Sequence, residues 1–392
     1  MHIGLTPEQE ELRSDLRAYY DELLTPEIIA EVQKSEGIGP VCREVVRRMG
    51  ADGWLGIGWP TEYGGQARGH VDQFIFYDES MRSGAPVPML TINTVGPTLM
   101  DYGTQEQRDF YLPKILAGEI HFCIGYTEPE AGTDLAALRT RAVRDGDEYV
   151  INGQKIFTSL ASDADYVWLA VRTDADAPKH KGISIIIVPM DTPGVKVTPI
   201  RNMSELNTNY TFYEDVRVPV SNLVGAENEG WNLIITQLNR ERVTLCSSGI
   251  IERQLEDVTA WARDTVLADG TRPIDSPRVR RNLAEVTAKL EFLWLLNYQV
   301  AWGAEVGHAL DPAQASATKV FGTEFYMHAL RLLMEVVGPE SSLRTDAPGE
   351  QIRGRLGALI RSLHILTFGG GVNELQRDLI AIFGLGMPAS IR

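Results

Sequence analysis

The chain has 392 residues, 44% hydrophobic and 23% charged, with 37 basic residues against 53 acidic ones and a formal net charge of −16. That length accommodates two or three domains with ample core, and the acidic balance argues against nonspecific binding to nucleic acid or anionic membranes, though not against a local basic pocket. Cys42, Cys123 and Cys246 are too scattered for a disulfide framework or a zinc site, and no leader or membrane-spanning apolar run is present, so a reducing, cytoplasmic setting is expected.

Residues 1–120 read as helical. Thr6 caps a first helix, with Pro7 at its first position and Gln9 completing a capping box. Leu12, Leu16, Tyr19 and Leu23 then form one apolar stripe. A loop rich in glycine and proline follows at 53–65, and helical periodicity returns at 71–82, 92–102 and 104–117.

The period changes at 121–134, HFCIGYTEPEAGTD. Residues 121–126 are short, mostly apolar and unbroken, as in a buried strand, which Pro129 must end because it has no N–H to give. Ala131, Gly132 and Thr133 make a bend of small residues that a planar or phosphorylated ligand can approach closely. Thr127, Thr133 and the backbone between them offer hydrogen bonds to the edge of a heteroaromatic ring. Taken alone, the stretch reads as a β-turn with polar residues.

Strand signals continue to about 225. Asp145-Gly146 and Asn152-Gly153 read as hairpin turns on either side of 147–151, and 166–172, 182–190, 195–200 and 209–218 are rich in β-formers. Phe157, Thr158 and Ser159 are expected on a strand just after the second turn. From 229 onward the chain is helical again, with segments 230–265, 276–306, 311–337 and 349–366 long enough for an antiparallel bundle. Ser276-Pro277 and Asp311-Pro312 mark helix starts, and 372–383 makes a short terminal helix. The order implies an α+β protein divided at 1–120, 121–228 and 229–392. No HExxH spacing, Walker motif, Rossmann fingerprint or G-x-S-x-G appears, so neither a metal site nor those chemistries are expected.

YTEPEAGTD resembles the flavin-binding signature of the acyl-CoA dehydrogenase family. GWLGIGWPTEYGG (53–65), LPKILAGE (112–119), NGQKIFTS (152–159), FYEDVRVP (212–219) and NELQR (373–377) resemble further blocks of that family, in its order and over essentially the whole chain. The resemblance implies an N-terminal helical domain, a middle β-barrel or sandwich domain and a C-terminal four-helix bundle. It also implies FAD as cofactor, an acyl-CoA substrate, α,β-dehydrogenation of the thioester, and electron-transferring flavoprotein as acceptor. It assigns the flavin cradle to Ile124, Tyr126, Thr127, Gly132, Thr133, Phe157, Thr158 and Ser159, with Phe157 standing where the family usually has Trp.

Two blocks depart from the family pattern. Aligned on NELQR, Gly370 occupies the position of the usual catalytic glutamate, and Val372 that of a flavin-touching threonine. Some members carry the base instead on a bundle helix, immediately before an arginine; here that position is Glu241, followed by Arg242. Glu241 is therefore the expected base, the Gly370 backbone N–H the expected donor to the thioester oxygen, and Thr133, Asn239 and Arg242 the expected substrate contacts. A side chain lost at Gly369-Gly370-Gly371 leaves room for a bulky or branched acyl group, such as a steroid side chain. The second departure is at 261–277 and 336–342, which lack the Arg-x-x-Phe-Gly and Gly-Gly blocks that reach a neighbouring subunit's flavin. That pattern resembles the heteromeric dehydrogenases of bacterial steroid side-chain degradation, an α2β2 assembly with a homologous subunit. An oxygen-using flavoprotein on the same fold and a noncatalytic partner subunit are the competing expectations.

Overall fold

The first helix begins as its sequence requires. Thr6 Oγ1 accepts from the Gln9 N–H, the Gln9 side chain returns a bond to the Thr6 N–H, and Pro7 takes the first helical position. The structure, a computed structural model, describes residues 3–35, 39–204, 207–244, 246–308, 311–343 and 352–389; side chains at 33–34, 239–244 and 352–354 lie outside that description.

In chain order the described helices begin with α1 (Pro7–Leu23), α2 (Pro26–Lys34), α3 (Pro40–Ala51), α4 (His70–Ser83), α5 (Gly96–Tyr102) and α6 (Gln105–Leu116). The strands are β1 (Phe122–Gly125), β2 (Arg141–Asp145), β3 (Glu148–Lys155), β4 (Tyr166–Arg172), β5 (Ile183–Pro189), β6 (Val195–Arg201), β7 (Asn207–Pro219) and β8 (Leu223–Val224). After them come α7 (Gly230–Thr244), α8 (Gly249–Asp264), α9 (Pro277–Glu305), α10 (Pro312–Val337), α11 (Ile352–Leu363) and α12 (Asn373–Leu379). The result is the expected α+β architecture, helices before and after a sheet. No described helix is long and apolar enough to cross a membrane.

By their contacts the residues gather into two units, Met1–Thr25 with Gly69–Ala85 and Arg242–Arg392, and Pro26–Arg68 with Pro86–Glu241. The first is helical. Its core is built by Ile251, Val258, Val286, Leu293, Leu330 and Leu333 from α8, α9 and α10. Arg17 on α1 bonds Glu79 on α4 at 2.8 Å and Glu252 on α8 at 2.9 Å. The buried stripe of α1 runs through Leu12, Leu16 and Tyr20 to Leu24, so the expected Tyr19 and Leu23 are each one residue early. Each step of four advances about 40° beyond a full turn, so the buried positions wind across the face of α1 instead of following the mixed three-and-four spacing that holds to one line.

The expected helix at 230–265 is in fact two, α7 and α8. Ser247 Oγ and Ser248 Oγ donate to the buried Asp78 carboxylate at 2.7 and 2.8 Å, and the Gly249 N–H adds a third bond at 3.1 Å. The start of α8 is thus capped from α4, and no side chain larger than glycine fits there, since a Cβ on Gly249 would lie 2.1 Å from Asp78 O. Burial raises the Asp78 carboxyl above its usual range against the pull of these donors.

The second unit centres on one eight-stranded mixed sheet, β6-β7-β3-β2-β4-β5-β8, with β1 parallel to β4. Val167, Leu169, Ile186, Val188 and Val216 fill its core. Asp145-Gly146 makes the expected turn between β2 and β3, but Asn152-Gly153 does not turn the chain. It lies within β3 as a bulge, where pairing with β7 slips between Ile151 and Gly153. Gly153 has φ of +151°, and a Cβ there would meet Thr140 Oγ1 at 2.6 Å, so close passage of backbone rather than a hairpin explains this glycine. Phe157, Thr158 and Ser159 accordingly lie beyond the end of β3, in a bend, and not on a strand.

Candidate functional site

The turn that leaves β1 is held from beneath. The Lys155 ammonium, fully buried at the end of β3, donates to Tyr126 O at 3.0 Å and to Glu128 Oε1 at 2.8 Å. Glu128 also accepts from the backbone N–H groups of Arg139 at 2.7 Å and Thr140 at 2.8 Å. Arg172 closes the other side, donating to Ala136 O and Lys181 O at 2.6 Å each. Burial lowers the Lys155 ammonium to about 8 although Glu128 pulls the other way. Burial works to raise the Glu128 carboxyl, but the Lys155 charge and the hydrogen bonds from Lys155 and Thr140 leave it below its usual range.

The outer face of the same turn is open. Gly132 and Thr133 are exposed, Ile124 and Thr127 are half-buried, and a Cβ on Gly132 would meet nothing nearer than Thr127 Cγ2 at 3.9 Å. The Ile156 N–H donates to Thr127 O at 2.8 Å, which sets the bend at 156–160 against this face. In that bend Phe157 is 58% exposed and has φ of +60°. A left-handed backbone costs an L-residue about 1–2 kcal/mol, and the bonds of its neighbours, Ile156 N–H to Thr127 O and Thr158 N–H to Asn209 O, hold Phe157 in it. The phenyl ring is thereby left facing outward, open to a planar aromatic ligand. Thr158, by contrast, is turned inward: its N–H donates to Asn209 O, its carbonyl accepts from Asn209 Nδ2, and its hydroxyl meets Thr211 Oγ1 at 3.3 Å. Ser159 shares a 3.3 Å bond with Thr208 Oγ1.

Tyr126 links this turn to α7, where its hydroxyl donates to Gln237 Oε1. Gln237 is fully buried, and its Nε2 has no partner among the described residues. It follows Leu233 and Ile234 on the buried stripe of α7, and position 241 lies four residues, about 6 Å, further along the helix. The side chains of Asn239, Glu241 and Arg242 are outside the described part of the structure.

In the other unit, Gly369-Gly370-Gly371 forms the turn before α12, with φ of +66° at Gly370 and +91° at Gly371. Lys319, fully buried on α10, donates to Gly371 O at 2.8 Å, Thr367 O at 3.3 Å and Asn373 Oδ1 at 2.7 Å. The chemistry-bearing residues that sequence reasoning passed over are therefore Lys155, Glu128, Arg172, Gln237 and Lys319. A signal existed for two of them. Lys155 shares the inward alternation of Tyr149 and Ile151, and Gln237 the helical phase of Leu233 and Ile234, both polar residues at apolar positions.

Comparison with known proteins gives a consistent answer. Residues 6–119, 123–216 and 228–384 match the N-terminal, middle and C-terminal domains of acyl-CoA dehydrogenases. Acyl-CoA dehydrogenase FadE26 of Mycobacterium tuberculosis (strain ATCC 25618 / H37Rv) is 54% identical, the match covering 100% of both chains. A chain of the ChsE4-ChsE5 complex from Mycobacterium tuberculosis superposes with a TM-score of 0.93 at 55% identity, and one of the Tcur3481-Tcur3483 steroid ACAD with 0.94 at 50%, each over 100% of both chains.

Proposed function

The chain belongs to the acyl-CoA dehydrogenase family, and on that premise we propose that it dehydrogenates a bulky acyl-CoA thioester, such as one carrying a steroid side chain, with Glu241 as the base. As a member it is an FAD-dependent oxidoreductase. The division at 1–120, 121–228 and 229–392 belongs to the same proposal.

The residues fit the cofactor. Ile124, Tyr126, Thr127, Gly132 and Thr133 with Phe157 and Ser159 make the cradle, while Thr158, its polar groups engaged in the sheet, supports the bend from behind. The outward phenyl ring of Phe157 offers a face to stack on, and its strained backbone is the observation that carries the reading. Bound there, FAD supplies the acceptor for the hydrogen lost from the β-carbon. The protein's own task is to take the α-proton and to hold the thioester. Glu241 receives the proton on its carboxylate; the support for this role is its place one turn beyond Gln237, whose side chain meets Tyr126 of the cradle. The Gly370 N–H takes the thioester oxygen and steadies the negative charge that develops as the proton leaves. Thr133, Asn239 and Arg242 contact the substrate.

The relatives whose structures are complexes of two different subunits support a hetero-oligomer here as well, an α2β2 assembly in which a homologous subunit supplies what 261–277 and 336–342 lack. Electron-transferring flavoprotein is the proposed acceptor. The deciding experiment is co-production with such a subunit, followed by Glu241→Gln. Turnover should fall about 10²–10⁴-fold while the bound-flavin spectrum is kept. Unchanged turnover would remove Glu241 from the mechanism.

A further inference from the structure

We propose that Lys155 is a positioning residue for FAD, its ammonium gripping the Tyr126 carbonyl and thereby aiming the next peptide N–H at the cofactor. The inference rests on the reading of 126–133 and 157–159 as the cradle, and it goes beyond that reading by naming what fixes the cradle's shape.

In a trans peptide the C=O and the following N–H point in opposite directions. Lys155 Nζ holds Tyr126 O at 3.0 Å, so the Thr127 N–H is directed away from Lys155, toward the outer face of the turn. The next carbonyl, Thr127 O, is held in turn by the Ile156 N–H at 2.8 Å. Two successive peptides at the head of the turn are thus oriented by two successive residues of one strand end, Lys155 and Ile156. Glu128 keeps the ammonium in place at 2.8 Å and is itself anchored by the N–H groups of Arg139 and Thr140.

A fully buried ion pair is a poor way to obtain stability alone, because well-packed apolar side chains of similar size serve as well or better. Its distinctive contribution is direction. An apolar side chain at 155 could fill the space, but it could not turn the Tyr126 peptide. Arg172 performs a related service at the far end, where it collects carbonyls from 136 and 181. Between them the three charged groups tie down the backbone of the segment at Tyr126, Ala136 and 139–140.

The test uses the full chain in the same subunit composition as wild type, stripped of flavin and titrated with FAD while protein fluorescence and flavin absorbance are followed. Lys155→Met should weaken FAD binding about tenfold or more. Lys155→Arg, which keeps a donor on a charged group, should recover most of the loss. The double variant Lys155→Met/Glu128→Gln removes the unpaired buried carboxylate and should regain thermal stability without regaining FAD affinity. Wild-type FAD affinity in the double variant would overturn the proposal and leave the pair a purely structural one. The outcome is separable from that for the base: Glu241→Gln reports on turnover with flavin in place, whereas these variants report on flavin affinity with no substrate present.

Discussion

Lys155 and Lys319 both lie wholly out of solvent, one at the end of a strand and one in the middle of a long helix, and each grips a loop. The acceptors around Lys155 include a full negative charge, Glu128, together with one carbonyl. Those described around Lys319 are two carbonyls and the amide oxygen of Asn373. The turn served by Lys155 has side chains of its own and needs only its peptides oriented. The loop served by Lys319 is three glycines, which bring no packing and the largest backbone entropy to be lost. A buried ammonium therefore serves two loops here: at Lys155 it sets the direction of a peptide, and at Lys319 it supplies the tether that missing side chains cannot.

That contrast can be broken in order of expected size. Lys155→Met leaves Glu128 charged, buried and unpaired, so a loss of about 3–5 kcal/mol is expected in urea unfolding; a loss no greater than that of a surface ion pair would erase the distinction. Lys319→Met takes the donor from Thr367 O, Gly371 O and Asn373 Oδ1, for which at least about 1–3 kcal/mol is expected, with faster proteolysis near 367–373 as the local readout. Phe157→Gly should act in the opposite direction. It relieves the left-handed strain and gives up little burial, so the flavin-free protein should gain up to about 1 kcal/mol while FAD affinity falls.

The smallest effect is one of pH and separates two of the buried carboxylates, Glu128 and Asp78. Glu128 lies below its ordinary range in the folded protein, so its contribution is complete above that range and is lost as pH falls through the lowered value. Asp78 lies above its ordinary range, so the folded state takes up its proton first and stability is gained as pH falls toward the unfolded value. In urea titrations from neutral to acid pH, Glu128→Gln should therefore flatten the acid loss and Asp78→Asn should steepen it. Identical slopes in both variants would show that neither carboxylate senses its surroundings as described.

The chemistry of the turn was legible in the sequence to the extent that it is local. HFCIGYTEPEAGTD marks a strand, a proline stop and an open bend, and the structure has β1, Pro129 outside the ladder and an exposed Gly132. The bend at Phe157 was not legible, because an Asn-Gly pair reads as a hairpin turn unless the strand that will pass beside it is known. The neighbour is β7, some sixty residues further along, and it converts Asn152-Gly153 into a bulge. For the base, a glycine in the family's glutamate position directed attention to α7. The buried partner one turn away, Gln237, became visible only through Tyr126.

The sequence by itself determined where helices begin at Thr6, Ser276 and Asp311, which segments alternate as strands, and the order of helix, sheet and helix, because caps, prolines and periodicity act over a few residues. Only the tertiary structure decided which charges are buried and where 230–265 breaks. Those outcomes turn on partners far away in the chain: Glu128 for Lys155, and Asp78, 170 residues before Ser248, for the start of α8. Burying a charge or interrupting a helix costs several kcal/mol unless such a partner is present, and no local pattern of residues records whether it is.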